Sequence, residues 1–97
     1  MIRHIALFKW TAEATGEQQA AVAAELAALL PALPSVRGFA IGADAGLAEG
    51  NFDFAVTADF DDEAGFSAYR DDPAHREVIA RAIAPIIAQR VAVQFKY

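Results

Sequence analysis

The stretch Tyr69-Arg70-Asp71-Asp72-Pro73-Ala74-His75-Arg76 puts a phenol, two carboxylates and one of only two histidines within eight positions. Histidine is the side chain whose ordinary pKa lies nearest neutrality, so it can take or give a proton under physiological conditions. A tyrosine six positions before it can donate a hydrogen bond to an oxygen that gains charge. The second histidine, His4, sits in Arg3-His4-Ile5-Ala6-Leu7-Phe8. These residues offer a candidate base, His75, and a phenol, Tyr69, for acid/base chemistry. They can do so only if the fold turns them toward one space.

Other chemistries find little support. There is no cysteine, hence neither a thiolate site nor a disulfide framework. No HxH, HExxH or DxD spacing occurs. Asp53 and Asp59 share a strand face but stand about 20 Å apart along it, too far for one ion. No metal is expected. The glycines between residues 42 and 50 lack the strand-to-helix setting of a phosphate loop, so no cofactor is implied. A net charge of −5 with no basic stripe argues against nucleic acid and against an anionic membrane surface. The apolar run in the first nine residues is too short for a signal peptide or a membrane span, and a cytoplasmic protein is expected.

Positioning falls to the elements. Ile2–Trp10 reads as a strand with two largely apolar faces, His4-Ala6-Phe8-Trp10 and Ile5-Leu7-Lys9. Thr15 caps a helix beginning at Gly16, with Gln18 as capping-box partner. Val22, Leu26, Leu29, Leu30 and Leu33 form one stripe, and Pro31 should bend or end the helix near Leu30. Arg37–Ala43 is a weaker strand whose glycines suggest a bulge or a close backbone approach. A turn follows, then the strand Phe52–Phe60, with Phe52, Phe54, Val56, Ala58 and Phe60 on one face. A short helix capped by Asp61 or Asp62 carries Phe66 and Tyr69 on one side. Asp72 caps the next helix and Pro73 takes its first position, while Pro85 should kink or end it. Arg90–Tyr97 is the last strand.

On that helix His75 precedes Val78, Ile79, Ala82, Ile83, Ile86 and Ile87 at helical spacing, which turns it inward. The helix dipole disfavours its charged form, and Asp71 and Asp72 favour it. Two readings of His75 stand open: a packed residue bonded to a backbone carbonyl, or a base in a cavity wall. Tyr69 and His4 present the same choice.

The order β-α-β-β-α-α-β predicts an α+β fold, a ferredoxin-like sandwich of four antiparallel strands with helices on one face. The 97 residues should form one domain spanning 1–97. A pocket between sheet and helices would draw on His4, Ala6, Phe8, Ala23, Leu26, Val56, Ala58, Tyr69, His75 and Ile79. The uncovered sheet face would present Ile5, Leu7, Val91, Val93 and Phe95. At 56% hydrophobic residues, such a patch calls for a cover. A second copy of the chain, packed sheet to sheet as a twofold dimeric α/β barrel, supplies one.

Three segments, MIRHIALFKW, FDFAVTADFDDEAGFSAYRDDPAHREV and APIIAQRVAVQFKY, resemble the stress-responsive A/B barrel (Dabb) family. RHIALFK and AYRDDPAH are the sharpest pieces. The resemblance implies a ferredoxin-like α+β barrel that dimerises through its sheets. One plant member is a polyketide cyclase that closes an aromatic ring by aldol condensation. Through it the resemblance implies His75 as catalytic base, Tyr69 as catalytic tyrosine and His4 as the matching strand-one histidine. Ala23 and Leu26 stand where bulky aromatics line that enzyme's pocket, and Gln94 stands where aspartate is usual.

Three functions follow as expectations. The first is a homodimer whose cavity binds a small hydrophobic or phenolic molecule. The second is a cofactor-free, polyketide cyclase-like enzyme using the His75/Tyr69 pair. The third is a structural, stress-related protein without a ligand.

Overall fold

The computed structural model describes residues 1–97. In chain order it contains β1 (Ile2–Trp10), α1 (Gly16–Leu29), β2 (Gly38–Ala43), β3 (Phe54–Phe60), α2 (Glu63–Asp71), α3 (Pro73–Val78) and β4 (Ile87–Lys96). The strands form one antiparallel sheet in the order β2-β3-β1-β4, the ferredoxin-like arrangement. β1 is central, with Ala6 opposite Val56 on one side and Ala92 on the other. Its even-numbered residues are buried under the helices, as are those of β3. Val22, Leu26 and Leu30 of the α1 stripe close onto them, and Phe60 is fully buried.

The caps form where the side chains allow. Thr15 Oγ1 accepts from the Gln18 amide at 3.1 Å, and Gln18 Oε1 accepts from the Thr15 amide at 2.9 Å. α1 stops at Leu29, and Pro31 tightens Leu30–Ala32 into one 3₁₀ turn. Asp62 caps α2 by accepting from the Gly65 amide, so it is the second of the two candidate caps that serves.

Three local expectations are corrected. β2 keeps an unbroken register against β3, so its glycines mark no bulge; the sheet's irregularity lies at Lys9/Trp10 against β4. The third strand begins at Phe54. Just before it, the Asp53 amide donates to the Phe8 carbonyl and the Asp53 carboxylate accepts from the Trp10 amide, which holds residue 53 in the loop. That loop turns through Gly46 and Gly50, both with positive φ. Finally, Pro85 neither kinks nor simply ends the last helix. Pro85 lacks a donor for the Arg81 carbonyl and its ring crowds that group. The chain widens into a π turn over Ile79–Ile83, where the Ala84 amide reaches back to the Ile79 carbonyl. A single 3₁₀ turn then delivers it into β4 at Ile87, three residues earlier than the sequence suggested.

Candidate functional site

Asp72 breaks the chain between α2 and α3. Its backbone is extended, and its side chain accepts from the Ala74 amide at 2.8 Å. The break lets α2 present Tyr69 and α3 present His75 to each other. Their rings lie 4.1 Å apart between centroids, inclined at 34°. His4, on the inner face of β1, lies 5.7 Å from Tyr69 and 5.2 Å from Phe66. All three are buried, with relative exposures of 3% for His4, 5% for Tyr69 and 8% for His75.

They border a cavity of about 320 Å³ between sheet and helices, at the small end of ligand sites. Ala6, Phe8, Leu26, Val56 and Ile79 line it. Ala23 and Ala58 do not. Ala58 is sealed in the core beside His4, and Ala23 packs half-buried against that core. Phe66, Arg70, Ile83, Arg90 and Gln94 also line the cavity. Of these, Arg90 and Gln94 had a signal in the sequence. Arg90, Gln94 and Lys96 alternate with Val91, Val93 and Phe95, and the register puts Gln94 opposite His4 and Arg90 opposite Phe8.

Hydrogen bonds assign the protons. The Arg70 carbonyl can only accept, so His75 Nδ1 donates to it across 3.4 Å and Nε2 is the basic nitrogen. The Gln94 amide nitrogen can only donate, so His4 Nδ1 accepts at 2.9 Å and His4 Nε2 carries the proton. No side-chain nitrogen or oxygen is both buried and without a partner. The Tyr69 hydroxyl and the two Nε2 atoms make no hydrogen bond within the chain and none of them is sealed from solvent, and all three residues line the cavity.

Electrostatics keep these groups neutral. Burial, followed by the charges of Arg90 and His75, lowers His4 to about 4. Burial also lowers His75, outweighing the Arg70 carbonyl and the Asp72 charge that pull it up. Burial raises Tyr69 to about 12, against a smaller pull from Arg90. Asp71 takes no part. It pairs with Arg70 and Arg76 at the surface, which holds its carboxyl down to about 2. Asp53 and Asp59 are occupied as well, the first with the Trp10 amide and the second with the forked guanidinium of Arg3 at 2.8 and 3.1 Å.

The family model of the Stress responsive A/B Barrel Domain, Dabb, matches residues 2–97. The chain belongs to the Dabb family. A dimeric ferredoxin-like protein of unknown function from Thermobifida fusca is 53% identical to this Dabb chain, with a TM-score of 0.92 over 99% of this chain and 90% of that one. A Dabb family protein from Mesorhizobium loti superposes with a TM-score of 0.84 at 18% identity, covering 99% and 95%. A hydroxynitrile lyase from Passiflora edulis superposes with a TM-score of 0.82 at 20% identity, covering 97% and 90%. The two at or below 20% share the fold alone. No curated protein matches the chain.

Proposed function

We propose that this Dabb chain acts as a homodimer whose cavity binds a small, largely apolar molecule bearing an oxygen head group, with His75 and Tyr69 as the groups that meet the head. One observation carries the reading. A neutral imidazole with a free Nε2 and an unbonded, protonated phenol line the same apolar cavity. Leucine or valine at position 75 would pack at less desolvation cost. The dimer rests on the exposed apolar face of the sheet and on the relative from Thermobifida fusca, which is described as dimeric.

A catalytic extension is favoured by the proton assignment. His75 Nε2 would take a proton from carbon next to a carbonyl. The electron pair would move onto the carbonyl oxygen, and the Tyr69 hydroxyl would hold the oxyanion. The Passiflora edulis neighbour is named a lyase, so the fold hosts enzymes.

Thermal melting with a panel of small phenolic and polyketide-like compounds tests the reading. At least one compound should raise the melting temperature of wild type and fail to raise that of His75→Ala. No shift with any compound, together with a loss of roughly 1–3 kcal/mol in His75→Ala from an orphaned partner, would return His75 to a structural role. For the catalytic extension, deuterium exchange next to the carbonyl of an aryl ketone should fall about 10²–10⁴-fold in His75→Ala. Equal exchange in both proteins would remove it.

A further inference from the structure

The charge of the cavity does not follow the charge of the chain. The chain carries a net charge of −5, yet no aspartate or glutamate lines the cavity, and two arginines do. Arg70 is already paired. Its guanidinium forks onto Asp71 at 3.0 and 3.1 Å and stands 5.9 Å from the Phe66 ring centroid. Arg90 is different. The ion pairs of the chain use Arg3, Arg37, Arg70, Arg76 and Arg81, and none uses Arg90. Arg90 is exposed on the edge strand β4, opposite Phe8, on the helix-facing side of the sheet.

Its charge still reaches inward. It acts on His4, on Tyr69 and on His75, in each case disfavouring added positive charge or favouring negative charge. With both histidines neutral and the phenol protonated, Arg90 supplies the one uncompensated charge of the cavity. An arginine fork matches a carboxylate with two parallel hydrogen bonds, and such a charge-assisted pair is stronger than a neutral hydrogen bond. The Tyr69 hydroxyl and His4 Nε2–H add neutral donors in the same cavity, and no carboxylate there opposes an anion.

We infer that the molecule the cavity takes is a compact apolar carboxylate, whose head meets the guanidinium of Arg90 as well as the Tyr69 hydroxyl and whose body lies against Phe8, Leu26 and Val56. This rests on the cavity being a binding site and names the class of molecule it accepts. The single-ring size follows from the cavity volume of about 320 Å³.

Titration calorimetry on the intact protein at neutral pH tests it with two probes of matched shape, phenylacetate and its neutral counterpart phenylacetamide. Wild type should bind phenylacetate on the order of tenfold more tightly, the worth of one exposed charge-assisted pair. Arg90→Gln should erase that preference and leave phenylacetamide unchanged, and Arg90→Lys should retain part of it. Equal affinities in wild type, or equal weakening of both probes in Arg90→Gln, would overturn the anion preference while the cavity reading stood. Binding of neither probe to wild type, with the histidine resonances also unmoved, would overturn both. The wild-type comparison decides the matter even if Arg90→Gln does not fold.

Discussion

At the scale of single residues, the site depends on keeping three titratable groups neutral in a place where water would let the histidines charge. Its cost appears as a dependence of stability on pH. His4 and His75 both titrate lower in the folded chain than in the unfolded one. Folding therefore favours their neutral forms. The stability they contribute is complete above about pH 6.5 and is lost as the pH falls below it, for His4 over the span from there toward about 4. For His4 the span amounts to about 3 kcal/mol. The ion-paired carboxylates Asp59 and Asp71 are also lowered, but they lose their contribution only below the ordinary value of 3.8, so the two windows separate. Urea unfolding at pH 7 and pH 4.5 should show wild type weakened at the lower pH and His4→Gln weakened less. Equal losses in both would contradict the assignment of His4 as a buried neutral imidazole. His4, Tyr69 and His75 were legible in the sequence because each sits on an apolar stripe where a polar group is out of place. Arg90 was legible only as part of an alternation in the last strand, and Gln94 by that alternation and by standing where the resemblance leads one to expect aspartate. Their role depends on the register of β4 against β1, a long-range pairing that no local spacing specifies.

At the scale of elements, the junction at Asp72 does the positioning. Without a break, α2 and α3 would run on as one helix, and Tyr69 and His75, six positions apart, would lie on different sides of it. The Asp72 cap and the fixed φ of Pro73 turn the chain, and the two rings meet. Asp72→Ala should therefore cost about 1 kcal/mol through the lost cap. Calorimetry should register a fall in melting temperature of about 4–8 °C for a domain of this size. An unchanged melting temperature would show that Pro73 alone fixes the junction. Caps and strand faces could be read locally: Thr15 with Gln18, Asp72 with Pro73, and Ile2–Trp10 with its alternating burial. The π turn over Ile79–Ile83 could not. Pro85 announces a disturbance, but whether the helix bends, stops or widens depends on how β4 must join the sheet. Ile79 and Ile83, the two ends of the widened turn, line the cavity, so the disturbance lies at the site.

At the scale of the whole molecule, the sheet has one covered and one bare face. On the bare face Val91 is 41% exposed, Val93 53% and Phe95 42%, beside the half-buried Ile5 and Leu7. Ile5, Leu7, Val91 and Val93 surround a shallow apolar depression. A second copy packed on this face would bury more than roughly 1,200 Å² in a stable pair. Light scattering at micromolar concentration should give twice the chain mass for wild type. Leu7→Asp should give the monomer mass or unfold, because a carboxylate there would be desolvated without a partner. A dimer that survives Leu7→Asp with unchanged melting would place the interface elsewhere. Alternation in β1 and β4 made this face visible in the sequence. The cavity on the opposite face was not measurable there, since its volume depends on how far α3 and the π turn stand off the sheet.

The central claim is that His75 is a neutral base open to a ligand in the cavity. Nitrogen NMR of histidine-labelled protein at pH 7 addresses it most directly. The account predicts a His75 imidazole protonated at Nδ1 alone, with an unprotonated Nε2 whose resonance moves when a small phenol is added and donates a hydrogen bond to it. A doubly protonated His75 at that pH, or an Nε2 resonance that no phenol or carboxylate moves, would contradict it.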